Sequence, residues 1–173
     1  MAKLTLDRYI QIAMGLMVVL LIVAIYMPLH ETLVQVGDTA PDFKITADNG
    51  RTYTRSDFGG KLLILNFWAT WCPPCREELP SLDALQRTLG SKGLVVLAVS
   101  VDKDEKQYRD FLAANKVAIT TARNPEQDIN REYGTVQFPE SYLIDSNGKV
   151  VEKIISSTNW MDERMVSHVQ SLL

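Results

Sequence analysis

Between Leu62 and Pro80 the chain changes character twice. An apolar run, Leu62-Leu63-Ile64-Leu65-Asn66-Phe67-Trp68, gives way to Trp71-Cys72-Pro73-Pro74-Cys75, and that to Arg76-Glu77-Glu78-Leu79-Pro80-Ser81-Leu82. The first stretch is nearly continuous in apolar residues, as a strand buried on both faces is. The last carries its apolar residues at helical spacing, and a helix begun there ends at Gly90. A doubly buried strand that turns straight into a helix needs cover on both sides, so the chain must fold in layers. The turn between them holds both cysteines of the sequence.

Two thiols three positions apart give little as a structural clamp, because closing so short a loop barely restricts the unfolded chain. At a strand-to-helix junction they suit the making and breaking of one disulfide. Zinc would need two further ligands, and His30 and His168 lie near the two ends of the chain. No metal or cofactor is therefore expected. Hydrophobic residues make up 46% and charged ones 23%, which excludes disorder as the main state. A net charge of −3 supplies no basic face for nucleic acid, and none is expected as a partner.

Tyr9 to Leu29 contains no charged residue. At ~1.5 Å per residue such a helix reaches about 30 Å, the thickness of a bilayer core. Tyr9 and Tyr26 lie near its ends, Lys3 and Arg8 precede it, and His30 and Glu31 follow it. The positive-inside bias puts residues 1–8 in the cytoplasm, 9–29 across the membrane and the remainder outside. A cleaved signal peptide would have a shorter apolar core ended by a small-x-small site, a test that Ala24-Ile25-Tyr26 fails. The expected organisation is a cytoplasmic start (1–8), an uncleaved anchor (9–29), a linker (30–36) and one domain (37–173). The location is then the bacterial inner membrane, single-pass, with the domain on the periplasmic side.

Within that domain, Ala40 to Thr46 reads as extended, Asp48-Asn49-Gly50 as a hairpin turn and Arg51 to Thr54 as the returning strand. Asp57 to Lys61 is a loop. Leu94 to Val101 is a second buried strand, so strand, helix and strand form a parallel crossover unit. Helices are expected over 104–115, 126–133 and 161–172, and strands over 117–121, 142–144 and 150–155. The last two strands join through the turn Asp145-Ser146-Asn147-Gly148. These elements sum to an α/β fold, a mixed sheet flanked by helices on both faces.

Cys72 falls at the helix start, where unpaired N–H groups and the positive end of the macrodipole favour a thiolate. Pro73 suits the first turn, and the two prolines stiffen the loop between the sulfurs. Cys75, one turn in, is expected to be more buried and to act as the resolving thiol. On a wheel of about 100° per residue, Glu78 falls inside the apolar arc of Cys75, Leu79, Leu82 and Leu85. It is three residues from Cys75, so the side chains can be neighbours. A carboxyl forced into that arc holds its proton to higher pH and can exchange it with Cys75. The alternative is a carboxylate bent to the rim and paired with Arg76 or Lys61.

The run Asn66 to Pro80 resembles the active-site segment of the TlpA/ResA/CcmG-like thioredoxins, membrane-anchored thiol–disulfide oxidoreductases. The resemblance extends to Gly37-Asp38-Thr39-Ala40-Pro41-Asp42-Phe43, to Val136 to Asp145 and to Asn159-Trp160. It implies a thioredoxin fold with an N-terminal β-hairpin extension. It implies Cys72 as nucleophile, Cys75 as resolving thiol, Glu78 as the buried active-site glutamate and Pro139 as a cis-proline facing the cysteines. An ordinary trans proline is the alternative. Trp71, Pro73, Pro74, Phe138 and Pro139 would bind the client, and Trp68 would be core. Pro139-Glu140 resembles the cytochrome-maturation subgroup. The chain departs from thioredoxin itself at Asn66, where thioredoxin carries a buried aspartate.

The family implies a reductant of client disulfides, with the haem-attachment cysteines of apocytochrome c as the client and a membrane thiol oxidoreductase as electron donor. A reductant or metallochaperone for copper-site assembly is the alternative. A metal-binding module without turnover is a third reading. A peroxidase is disfavoured, because Ala69 and Leu65 stand where the peroxidatic pattern wants Thr or Ser and Pro.

Overall fold

Every residue of β3 (Leu62–Trp68) is buried, and its alternating side chains divide the interior of residues 34–173 into two cores. The computed structural model describes residues 2–29 and 33–173, in two units, Met1–Leu33 and Val34–Leu173. In the first unit, α1 (Ala2–Leu29) is long and apolar enough to cross a membrane, with a mean hydropathy of 1.8 over Asp7–Ala24. Met1 and residues 30–32, parts of the expected cytoplasmic start and linker, lie outside the described residues. Val34, expected in the linker, is instead buried in the second unit, where its N–H donates to the Tyr133 carbonyl.

The second unit runs β1 (Lys44–Thr46), β2 (Thr52–Thr54), β3, α2 (Pro73–Leu89), β4 (Leu94–Ser100), α3 (Glu105–Asn115), β5 (Thr120–Arg123), α4 (Asp128–Glu132), β6 (Glu140–Ile144), β7 (Val150–Ile155) and α5 (Glu163–Ser171). Five strands form one sheet in the order β5-β4-β3-β6-β7. β3, β4 and β5 run parallel, whereas β6 and β7 join antiparallel. The β1–β2 hairpin forms a separate two-stranded sheet in the register Lys44↔Thr54. This is a thioredoxin fold with an N-terminal hairpin.

Leu62, Ile64 and Trp68 face one core, with Leu79, Leu82 and Leu85 of α2, Tyr108 of α3 and Val169 of α5. Leu63, Leu65 and Phe67 face the other, with Phe43 and Ile45 of the hairpin segment, Ile129 of α4 and Tyr142. Gln86 fastens α2 to β4, its Oε1 accepting from Val96 N–H (2.6 Å) and its Nε2 donating to the Leu94 carbonyl (3.2 Å).

Three elements start later than expected for visible reasons. β5 begins at Thr120 rather than 117, because the Asp83 carboxylate of α2 takes the Ala118 and Ile119 N–H groups (3.1 and 2.8 Å). Those donors are then unavailable to a ladder. α3 and α5 begin one and two residues late, since Asp104 and Asp162 are caps whose side chains accept from Gln107 N–H and Arg164 N–H.

Candidate active site

Cys72 is the N-cap of α2, with Pro73 and Pro74 as the first two helical residues. Proline has no N–H, so the first backbone donor of the helix is that of Cys75, and it points at Cys72 Sγ (3.3 Å). That N–H and the helix dipole are what a Cys72 thiolate would meet on reduction. The two cysteines form a disulfide. Cys72 is 5% exposed and Cys75 0%, so attack from outside reaches Cys72 first.

The loop before Cys72 is held from below. The buried Asp102 carboxylate accepts from Thr70 N–H (2.9 Å), Thr70 Oγ1 (2.7 Å) and Ser100 Oγ (2.6 Å). This fixes the segment that presents Trp71, which is 57% exposed. Opposite stands the loop before β6. Its Phe138-Pro139 peptide is cis, and the Phe138 carbonyl oxygen lies 3.6 Å from Cys72 Sγ. Trp71 and Phe138 meet edge to face with centroids 6.0 Å apart. Pro73 and Pro74 are exposed beside them, and Pro139 is buried. Trp68 is fully buried and belongs to the core.

Glu78 is buried, in the helical phase the wheel gives it. It does not bend to Arg76 or Lys61. Its Oε1 accepts from Asn66 Nδ2 (2.8 Å) and its Oε2 from Thr158 N–H (3.2 Å). The Trp160 indole N–H faces the same carboxyl without closing a hydrogen bond of normal geometry. Burial pushes this carboxyl up to about 7, against the pull of those donors. The segment 158–160 docks on α2 at this point, where Trp160 N–H donates to Ser81 Oγ (3.1 Å) and Ser81 Oγ to the Glu78 carbonyl (2.7 Å). Pro80, which can donate no N–H inside the helix, lies between them.

The structure thus brings Cys72, Cys75, Glu78, Trp71, Phe138 and Pro139 to one end of the sheet. The roles of Asp102, Thr70, Ser141 and Thr158 are not visible in sequence. Asp102 reaches 32 residues back to Thr70, and Thr158 N–H reaches 80 residues back to Glu78. A backbone donor leaves no trace in residue identity. The resemblance over 136–145 covers Ser141 but assigns it no partner.

The chain belongs to the AhpC/TSA family, which it matches over residues 36–153. It is 34% identical over 143 residues to the thiol-disulfide oxidoreductase ResA of Geobacillus thermodenitrificans, covering 83% of this chain and 81% of that one. It is 37% identical over 123 residues to the thioredoxin-like protein YneN of Bacillus subtilis, covering 69% and 71%. Among solved structures it resembles a thiol:disulfide interchange protein DsbE from Chlorobium tepidum, with a TM-score of 0.75 and 33% identity over 80% of this chain and 98% of that one. The protein is a thiol–disulfide oxidoreductase of the ResA/DsbE type, and Cys72–Cys75 is its disulfide.

Proposed function

We propose that the protein is a membrane-anchored reductant of protein disulfides, that it works on the extracytoplasmic side, and that its client is apocytochrome c. The observation that carries the redox part is the Cys72–Cys75 disulfide at a helix start with a buried carboxyl one turn further on. In the reduced enzyme the Cys72 thiolate attacks a client disulfide. One client sulfur bonds to Cys72 and the other leaves with the electron pair. Glu78 then takes the proton of Cys75. The Cys75 sulfur bonds to Cys72, the bond from Cys72 to the client breaks, and the client leaves as a second thiolate. Its disulfide has gained two electrons and the enzyme has become oxidised.

A protein client fits the exposed surface. Trp71, Pro73, Pro74 and Phe138 surround Cys72, and among the described residues the Phe138 N–H and carbonyl enter no backbone hydrogen bond. An extended segment can pair there as an added strand. Haem attachment to a Cys-x-x-Cys-His segment needs free thiols in a compartment that oxidises them, which calls for such a reductant. Pro139-Glu140, like that of the cytochrome-maturation subgroup, supports this client. The apolar α1 and the Lys3 and Arg8 charges support an inner-membrane anchor with its N-terminus in the cytoplasm. Oxidised enzyme is re-reduced by a membrane thiol oxidoreductase.

The reduction potential of Cys72–Cys75 tests the direction: a value near or below about −250 mV is expected, and one near about −120 mV would make the protein an oxidant. Cys75→Ser leaves the mixed disulfide unresolved, so the trapped client can be identified. Capture of an apocytochrome c is expected. Capture of copper-site proteins instead would move the proposal to copper-centre assembly.

A further inference from the structure

The two oxygens of Glu78 are held by different elements. Thr158 N–H takes Oε2 from the C-terminal side, and Asn66 Nδ2 takes Oε1 from β3. The same Nδ2 donates to Ser141 Oγ (2.9 Å). Asn66 and Ser141 are directly opposite in the β3–β6 ladder, and Ser141 lies two residues after Pro139. One amide therefore joins the helix that carries both cysteines to the strand that follows the cis-proline.

Packing alone does not account for this amide. Asn66 is fully buried, the other residues of β3 are apolar, and its Oδ1 has no hydrogen-bond partner among the described residues. Leaving a buried acceptor unsatisfied costs its full desolvation, which a leucine of similar size would avoid. What a leucine could not do is donate to Glu78. With each oxygen occupied by one donor, the carboxyl plane is fixed and its remaining lone pairs have set directions. No charged side chain contributes to this environment among the described residues. α2 supplies Cys75, β3 Asn66, β6 Ser141 through Asn66, and the 158–160 segment the Thr158 N–H and the Trp160 indole.

We propose that Asn66, braced by Ser141, is a positioning residue that fixes the Glu78 carboxyl for proton exchange with Cys75 and so sets the pH at which mixed disulfides resolve. This rests on the reading of Glu78 as the proton acceptor. The step is the one already described: the Cys75 proton passes to Glu78, the Cys72–Cys75 bond forms, and the client sulfur leaves with the electron pair of the broken bond.

The test is stopped-flow release of thionitrobenzoate from Cys72 between pH 5 and 9, in wild type, Asn66→Asp, Asn66→Leu and Glu78→Gln, with unfolding curves for each. Asn66→Asp sets a second carboxyl against Glu78, and two such groups cannot both ionise easily. The midpoint of the rate profile should rise by about one pH unit, a tenfold change in proton affinity. Asn66→Leu removes a donor from the charged form and should raise the midpoint by roughly half that. Should Asn66→Asp fail to fold, Asn66→Leu carries the test. Midpoints unmoved in a folded Asn66 variant, with the profile flattened by Glu78→Gln, would overturn the positioning role and leave Glu78 standing. A wild-type profile in Glu78→Gln would remove the reading of Glu78 and this inference with it.

Discussion

Glu78 and Glu140 are equally buried, each 3% exposed, yet the regions around them treat the charge differently. Glu140 lies on the hairpin side of the sheet. Lys153 Nζ stands 2.9 Å from its Oε1, and the Tyr142 hydroxyl donates to the same oxygen (3.0 Å). Lys153 also donates to the Val34 carbonyl (3.3 Å) and lies over the Tyr142 ring. Glu78 lies on the α2 side and, among the described residues, meets only neutral donors. Strand alternation makes this separation possible, since Glu140 and Ser141 are consecutive in β6 and point to opposite cores. One carboxylate is matched by a cation and ties β6 to β7 and to the start of the domain. The other is matched only by dipoles, so a proton is its remaining partner, and it sits beside the cysteines. The difference separates a structural carboxylate from a chemical one, and each can be disturbed alone.

The largest expected effect is on the ion pair. Lys153→Met leaves Glu140 buried without its cation, and urea unfolding at pH 7 should show a loss of about 3–5 kcal/mol. Adding Glu140→Leu should recover most of it, because an apolar pair removes the stranded charge. Next in size is Glu78→Gln. It should keep the fold and slow mixed-disulfide resolution about 100-fold near neutrality, as loss of a general base does. If Glu78→Gln unfolds the protein while Lys153→Met leaves it stable, the two roles are reversed.

Asp102 shows a third arrangement, a buried carboxylate met by hydroxyl and backbone donors that it uses to hold the loop before Cys72. Thr70→Val removes one of these donors and should lower stability by about 1–2 kcal/mol. The smallest effect is expected at the surface. Trp71→Ala should leave unfolding unchanged and weaken the client interaction by roughly 1 kcal/mol, read as a fall in kcat/KM.

Much of the fold was legible because long apolar runs and turn chemistry are local. Leu62–Trp68, Val150–Ile155 and the Pro73–Leu89 helix lie where pattern and caps put them. The phase of Glu78 was legible for the same reason, since a helix converts sequence spacing into direction. The partners of Glu78 were not. Asn66, which also donates to Ser141, and Thr158 reach it only after β3, β6 and the C-terminal segment have assembled, and nothing in their own neighbourhoods signals the meeting. The Glu140–Lys153 pair was hidden likewise, because it depends on the β6–β7 register. The start of β5 was misplaced because Asp83, on another element, captures the donors of 118 and 119.

Glu78, buried one turn beyond Cys75, keeps its proton to near-neutral pH. Folding raises this carboxyl from the ordinary 4.5 to about 7. Between those values the folded protein holds a proton that the unfolded chain has lost, so stability falls as pH rises through the window and stays low above it. The gap corresponds to roughly 3 kcal/mol. The direct test is the unfolding free energy of the oxidised protein from pH 4 to 9, wild type against Glu78→Gln, whose amide cannot ionise. The difference between the two should be constant below pH 4.5. Above it the wild type should lose about 3 kcal/mol relative to the variant, levelling off past pH 7. Parallel curves across the whole range would contradict the account.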